Sequence, residues 1–212
     1  MNKLLRLLAV TLCVMGCLLT AGCGDDIKGD WIRITQSSMD GTDKADILHI
    51  ETADNGGYLV SSDTRYYRHK RGRQNTTDAT NKEPGGDEIL NFKESFKKVR
   101  VKLSFFEKFQ WNGNPLKIMR KYEWQEIKDN ARVKVSKDVF ALKDGKLILH
   151  GVTYEKTDKN QLEKLKATWK DNLKKQVGKE IEIGFYDSID NYYKATVSKV
   201  IIVENGKEEV FE

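Results

Sequence analysis

Turn chemistry constrains this chain more than any other feature of its sequence. At four places a short cluster of Asn, Asp and Gly separates two β-prone runs: Asp54-Asn55-Gly56-Gly57, Trp111-Asn112-Gly113-Asn114-Pro115, Asp144-Gly145 and Asn205-Gly206. These residues tolerate the positive φ that tight hairpin turns demand, so each cluster predicts two antiparallel neighbours. Residues 29–34 read as a first strand, and 46–52 with 58–62 as a hairpin. In residues 96–105, Val99, Val101, Leu103 and Phe105 alternate with Arg100, Lys102 and Ser104, the period of a half-buried strand. Ile118, Tyr122 and Trp124 share one parity of a strand over 116–127, and Ala131, Val133 and Val135 alternate with Arg132 and Lys134. Residues 139–143 and 146–150 pair around Asp144-Gly145, with 152–156 extending them. Successive strands on short turns predict an antiparallel meander.

The pattern changes at Thr157. Leu162, Leu165, Trp169, Leu173 and Val177 recur at three- and four-residue spacing, which predicts an amphipathic helix packed on the sheet. Asp158 stands at its cap, Gln161 at the capping-box position, and Gly178 at its stop. Strands follow at 180–186, 192–203 and 207–211. The expected fold class is mainly β: an antiparallel meander closing into a β-barrel, with one C-terminal amphipathic helix and further strands. Closure is expected because an open meander exposes two edges. A barrel of about eight strands either fills its interior or holds one small ligand. Val101, Leu103, Ile118, Tyr122, Val133 and Val135 are the side chains expected to face that interior.

The first residues carry an address. Lys3 and Arg6 precede an apolar run over 7–19, broken by Thr11 and Gly16, that ends in Leu18-Leu19-Thr20-Ala21-Gly22-Cys23. A spanning helix needs about 20 apolar residues, so a processed signal fits this shorter run better. The stretch resembles a bacterial lipoprotein signal, in which small residues precede the modified cysteine. Thr20 stands where that family usually has Leu, and a rival site at Cys17 would leave a very short apolar segment. The resemblance implies removal of residues 1–22, acylation of Cys23 (including palmitate-type chains), and a polar leader over 23–28. Two or more acyl chains give stable attachment. The expected location is the cell membrane or outer membrane, facing the periplasm or the exterior. Gly24 lacks the aspartate that commonly holds such proteins at an inner membrane, which favours the outer one. Cys13 and Cys17 leave with the signal, so no disulfide is expected.

The formal charge of +5 falls to +3 when Lys3 and Arg6 are lost, and acids and bases are interspersed; this argues for solubility and against a nucleic-acid partner. His49, His69 and His150 stand apart from one another and from any cysteine, so no metal and no cofactor is expected. No phosphate loop, nucleophile elbow or H-E-x-x-H occurs. Residues 40–46 collect carboxylates without the oxygen spacing of a calcium loop and read as a turn. An enzyme is not expected.

Gly29-Asp30-Trp31 is a G-x-W at the mouth of the first strand, and the meander after it ends in Tyr154-Glu155-Lys156. This order resembles the lipocalin-like (calycin-type) domains of small bacterial lipoproteins. The resemblance covers residues 29–156 and implies a barrel whose base the tryptophan closes, with Lys156 stacked over Trp31. The domain organisation expected is a signal over 1–22, a leader over 23–28, the barrel over 29–156, and a C-terminal helix with strands over 157–212.

Residues 65–73 gather five basic side chains around Tyr66, Tyr67 and His69. The plainer reading is the solvated end of a strand; the functional one is a patch for an anionic or amphiphilic ligand. On the functional reading Tyr66, Tyr67 and Arg68 guard the mouth of the barrel, with Leu103 and Tyr122 inside it. The expected function is a membrane-tethered, non-enzymatic binding or interaction domain for a small hydrophobic or amphiphilic ligand. The alternative is a structural or assembly lipoprotein that docks another envelope protein.

Overall fold

The computed structural model describes residues 27–36, 42–54, 56–70, 87–102, 107–184 and 192–212. The signal, Cys23, Leu103 and the basic end of residues 71–73 lie outside them. In chain order the elements are β1 (Gly29–Gln36), β2 (Asp43–Thr52), β3 (Tyr58–Lys70), β4 (Glu88–Ile89), a short α1 (Phe92–Ser95), β5 (Phe96–Arg100), β6 (Glu107–Trp111) and β7 (Leu116–Val135). A 3-10 turn, Lys137–Val139, leads to β8 (Phe140–Lys143), β9 (Lys146–Leu149) and β10 (Val152–Thr157). Then come α2 (Lys159–Lys174), β11 (Glu180–Gly184), β12 (Tyr192–Glu204) and β13 (Lys207–Phe211).

The protein is mainly β, as its turn chemistry predicts. Its sheet is not a meander. The strand order is β11-β12-β7-β3-β2-β1-β10-β9-β8, with β13 on β12 and β4 on β7, while β5 and β6 form a separate two-stranded sheet. The neighbours β5/β6, β8/β9, β9/β10, β11/β12 and β12/β13 pair antiparallel, but β12 runs parallel to β7, Ala195 opposite Leu116 through Val203 opposite Glu123. The expected closed barrel is not found among the described residues. β10 returns to β1, with Trp31 opposite Lys156, yet the strand path ends at β11 on one side and β8 on the other without joining them. The two strands expected over 116–127 and 131–135 are one twenty-residue strand, and of the strand expected over 96–105 the residues 96–100 form β5, which pairs with β6.

The chain divides into two compact units. The first comprises the residues up to Ile34, Ala45–Thr64 and Ile127–Lys159. Its core gathers Ile27, Trp31, Leu48, Ile50, Tyr58, Val60, Phe140 and Leu147. Gly29 turns into β1 at φ +118°, a region that side chains with a Cβ rarely adopt. This places Trp31, 1% exposed, so that its Nε1 donates to the Ile27 carbonyl at 2.6 Å. Lys156 Nζ lies 5.4 Å from the Trp31 ring centroid, a cation–π contact. Tyr58 meets Phe140 edge-on at 5.6 Å. The β8–β9 turn uses Asp144 at φ +53° and Gly145 at φ +73°, the two positive values that a type I′ turn needs.

The second unit comprises Thr35–Lys44, Arg65–Glu126 and Asn160–Glu212. Here α2 presents Leu162, Trp169 and Leu173, all buried, at the spacing of a single helix face. Trp169 lies 6.5 Å from Trp124 of β7 by ring centroids. The buried residues of β7 are Leu116, Ile118 and Tyr122, and those of β12 are Ala195, Val197, Val200, Ile202 and Val203. β12 is rich in Val and Ile along the contact and β7 brings Leu116 and Ile118 to it, which suits a parallel pair. Beyond Gly178, Gly178 N donates to the Val197 carbonyl at 2.8 Å, tying the end of the helix to β12.

Candidate functional site

The second unit contains a cleft of about 210 Å³ beside α2. Trp169, Asn172, Leu173 and Gln176 line one side. The first three stand at i, i+3 and i+4 on one face of α2, and Gln176 follows from the turn just beyond the helix end. The other side comes from strand ends: Gln36 where β1 finishes, Thr42 and Asp43 where β2 begins, and Tyr67 of β3.

Two polar networks hold these walls. Tyr67, 1% exposed, donates its hydroxyl to Glu204 Oε1, and Lys170 Nζ lies 3.3 Å from Glu204 Oε2. Burial, then the carboxylate of Glu204, push the Tyr67 hydroxyl far above its ordinary range. Burial also works to raise Glu204, but the Tyr67 hydrogen bond and the cations of Lys166 and Lys170 outweigh it and leave that carboxyl below its usual value. Trp124 packs edge-on against Tyr67 at 4.9 Å, and Lys166 Nζ sits 4.6 Å over the Trp124 ring.

The second network lies behind Gln176. Its Oε1 accepts from Arg120 Nη1 at 3.1 Å and from the Tyr122 hydroxyl at 2.9 Å. With that oxygen occupied, Gln176 offers the cleft its amide N–H groups. Arg120 grips Asp87 with two bonds of 3.1 Å, and His69 Nε2 lies 3.1 Å from Asp87 Oδ1. The His69 ring stacks on Tyr122 at 4.9 Å. Burial pushes the Asp87 carboxyl up, and the bonds from His69 and Arg120 more than reverse this, so it sits below its ordinary value. Behind one lining amide is therefore a desolvated carboxylate–guanidinium pair, a rigid support.

The cleft thus offers amides, a hydroxyl and one carboxylate around the edge of an indole. Amide and carboxylate groups exchange hydrogen bonds with a polar solute, while Trp169 and Leu173 receive its apolar side. Elsewhere, His49 of β2 bridges Asp30 (Nδ1 to Oδ1, 2.8 Å) and Asp63 (Nε2 to Oδ1, 3.2 Å), a polar clip between neighbouring strands of the first unit. No group of three or more His, Cys, Asp or Glu among the described residues is placed to hold a metal ion.

Of the residues singled out from the sequence, Tyr67 and Tyr122 lie at or behind this cleft, on the parity covered by α2. Tyr66 and Arg68 have the opposite parity; Tyr66 is half-buried and Arg68 exposed, so the three do not gather at one mouth. The interior expected for the meander does not form either. Ile118 and Tyr122 are buried in the second unit, Val135 packs on the core of the first, and Val101 and Val133 are 39% and 57% exposed. β7 is exposed on both faces from residue 126 to 134, so its alternation there marks strand geometry without a covering layer. Sequence reasoning missed Asn172, Gln176, Gln36, Thr42 and Asp43. The helical period would have put the first two beside Trp169, but nothing local marks the strand ends that face them.

No family model matches the chain, and neither a curated protein nor a solved structure matches it significantly.

Proposed function

We propose that this chain is a lipid-anchored envelope lipoprotein whose body is a non-enzymatic binding domain, with the cleft beside α2 taking a small amphiphilic ligand. The carrying observation is the cleft lining, where hydrogen-bonding amides and Asp43 surround the indole of Trp169. Such groups orient a ligand without reacting with it. The anchor reading rests on the stretch ending Ala21-Gly22-Cys23. No helix among the described residues is long and apolar enough to cross a membrane. The lipocalin-like reading of the first unit draws support from Gly29 at φ +118°, the buried Trp31 with Lys156 over it, and the return of β10 to β1.

The anchor is tested by Cys23→Ser. Incorporation of labelled fatty acid should be lost, and the body should move to the soluble fraction or stay as an unprocessed precursor. Unchanged labelling would defeat the assignment. The cleft is tested by native mass spectrometry of the purified protein. A co-purifying small molecule, displaced when the exposed Asn172 becomes Trp while the circular dichroism spectrum is unchanged, supports the reading. An adduct that survives Asn172→Trp places binding elsewhere.

A second reading, a protein that docks another envelope component, is favoured by one observation. Trp31, Tyr58 and Phe140 fill the core of the first unit, while Ile127 and Val133 are 54% and 57% exposed on the same unit. Loss of an envelope partner on substituting these two residues, with the cleft intact, would favour it.

A further inference from the structure

We infer that the cleft beside α2 binds a neutral sugar, one pyranose ring held by its hydroxyls. This rests on the reading of that cleft as a ligand site and names the chemical class of the ligand. Two polar groups carry it. Trp169 is 7% exposed and Thr42 8%, yet among the described residues neither the indole Nε1–H nor the Thr42 hydroxyl has a hydrogen-bond partner. Neither atom is sealed from solvent, and the open space that both residues line is the cleft. The other three tryptophans use their N–H inside the protein: Trp31 donates to the Ile27 carbonyl, Trp111 to the Asn114 carbonyl and Trp124 to Glu126. Buried polar groups are paired as a rule, so a donor left open beside a cleft marks where a ligand or water completes it.

The rest of the lining decides the class. Asp43 is half-buried and, among the described residues, has no ion-pair partner. The exposed amides of Gln36 and Asn172 have no partner there either. Gln176 turns N–H groups to the cleft because Arg120 and Tyr122 occupy its Oε1. No Lys or Arg is among the lining residues, and Lys170 of α2 is held by Glu204 and Glu209. The cleft therefore sets neutral donors around a single carboxylate. An ammonium group only donates, and would leave the indole and amide N–H groups unmatched. A carboxylate or phosphate brings like charge to Asp43 with no cation to offset it, and the acid end of a zwitterion does the same. Vicinal hydroxyls donate and accept at once, so one edge of a pyranose gives to Asp43 and takes from Trp169 and Gln176. The C–H face of the ring suits Leu173. A volume of about 210 Å³ is the share of roughly seven waters, space for a single ring, free or at the end of a glycan.

The test titrates methyl glucoside, methyl galactoside, methyl mannoside and N-acetylglucosamine into the nitrogen-labelled full chain and follows the assigned indole N–H resonances. At least one sugar should shift the Trp169 resonance saturably and leave those of Trp31, Trp111 and Trp124 in place. Choline, acetate and serine should not. Asp43→Asn should weaken the binding at least about tenfold by removing a charge-assisted bond, and Asn172→Trp should abolish it. Both variants replace side chains without partners, and an unchanged circular dichroism spectrum confirms their folding. Whichever sugar binds is repeated as its trisaccharide: equal affinity makes the ligand a glycan end, exclusion makes it a free sugar, and the class holds in both. No saturable shift at Trp169 with any sugar, an equal shift with choline or acetate, or an affinity unchanged in Asp43→Asn overturns the proposal. The co-purifying adduct judges the cleft separately: displaced by Asn172→Trp while no sugar acts, it keeps the cleft as a ligand site and sinks the class alone.

Discussion

Replacing Trp31 by Ala is expected to destabilise the first unit by about 3–5 kcal/mol, the range for removing a large buried aromatic. The ring is 1% exposed and packs in the cluster with Tyr58, Phe140 and Leu147. Its loss leaves a cavity and also strips the buried Ile27 carbonyl of its 2.6 Å donor. A folded domain holds only about 5–15 kcal/mol in total, so much of the margin would go. Trp31→Phe keeps most of the volume and loses the N–H, so its cost should fall nearer 1–2 kcal/mol. Lys156→Ala removes the cation above the ring and should cost about 1 kcal/mol. Urea unfolding of the three variants gives the ranking. A Trp31→Ala protein that unfolds within about 1 kcal/mol of wild type would mean that this core is not what closes the unit.

The second large effect is expected at Asp87. Asp87→Asn should cost about 3 kcal/mol or more, because Arg120 and His69 would keep their burial and lose the carboxylate they share. The same pair sets an acid limit. The folded carboxyl is held below its unfolded value of 3.8, so its contribution is complete above that value. It is lost progressively as the pH falls below about 4 and through the lower folded value, where the native state can no longer hold the proton off. Glu204, also held low, steepens the loss over the same window. Stability measured by urea titration from pH 7 to pH 2 should therefore fall steeply below pH 4 in the wild type and less steeply in Asp87→Asn. Parallel acid limbs in the two proteins would remove Asp87 from this role.

Much of the local structure was legible because local rules govern it. Asp144-Gly145 and Asn205-Gly206 name their turns by chemistry alone, and both adopt the positive φ pair that such turns need. Leu162, Trp169 and Leu173 declare the buried face of α2 by spacing. Gly29, Trp31 and Lys156 were read together from a short pattern, and the stack is present. What could not be read is pairing at long range. Nothing in Val197 or Ile202 announces a parallel partner at Ile118 and Tyr122, since hydrophobic runs fit a parallel neighbour and a core helix equally well. The alternation of Val99 and Val101, or of Ala131, Val133 and Val135, gives a period without saying which face is covered, and at Val101 and Val133 solvent covers it. The cleft escaped notice for a related reason: its two walls belong to segments more than a hundred residues apart, such as Tyr67 and Trp169, and each looks ordinary alone.

The parallel pairing of β12 with β7 also sets a timetable. A chain made from its N-terminus has every strand of the first unit in hand once Thr157 is complete, because β8, β9 and β10 close on one another across short turns. The second unit must wait. Leu116 to Glu123 find their partners only when Ala195 to Val203 have been made, and Tyr67 meets Glu204 across 137 residues of sequence. Loops of that length make late, slow contacts. Until they close, one edge of β7 offers unpaired backbone to any other strand that comes near, so the last twenty residues act as the chain's own protection against mispairing.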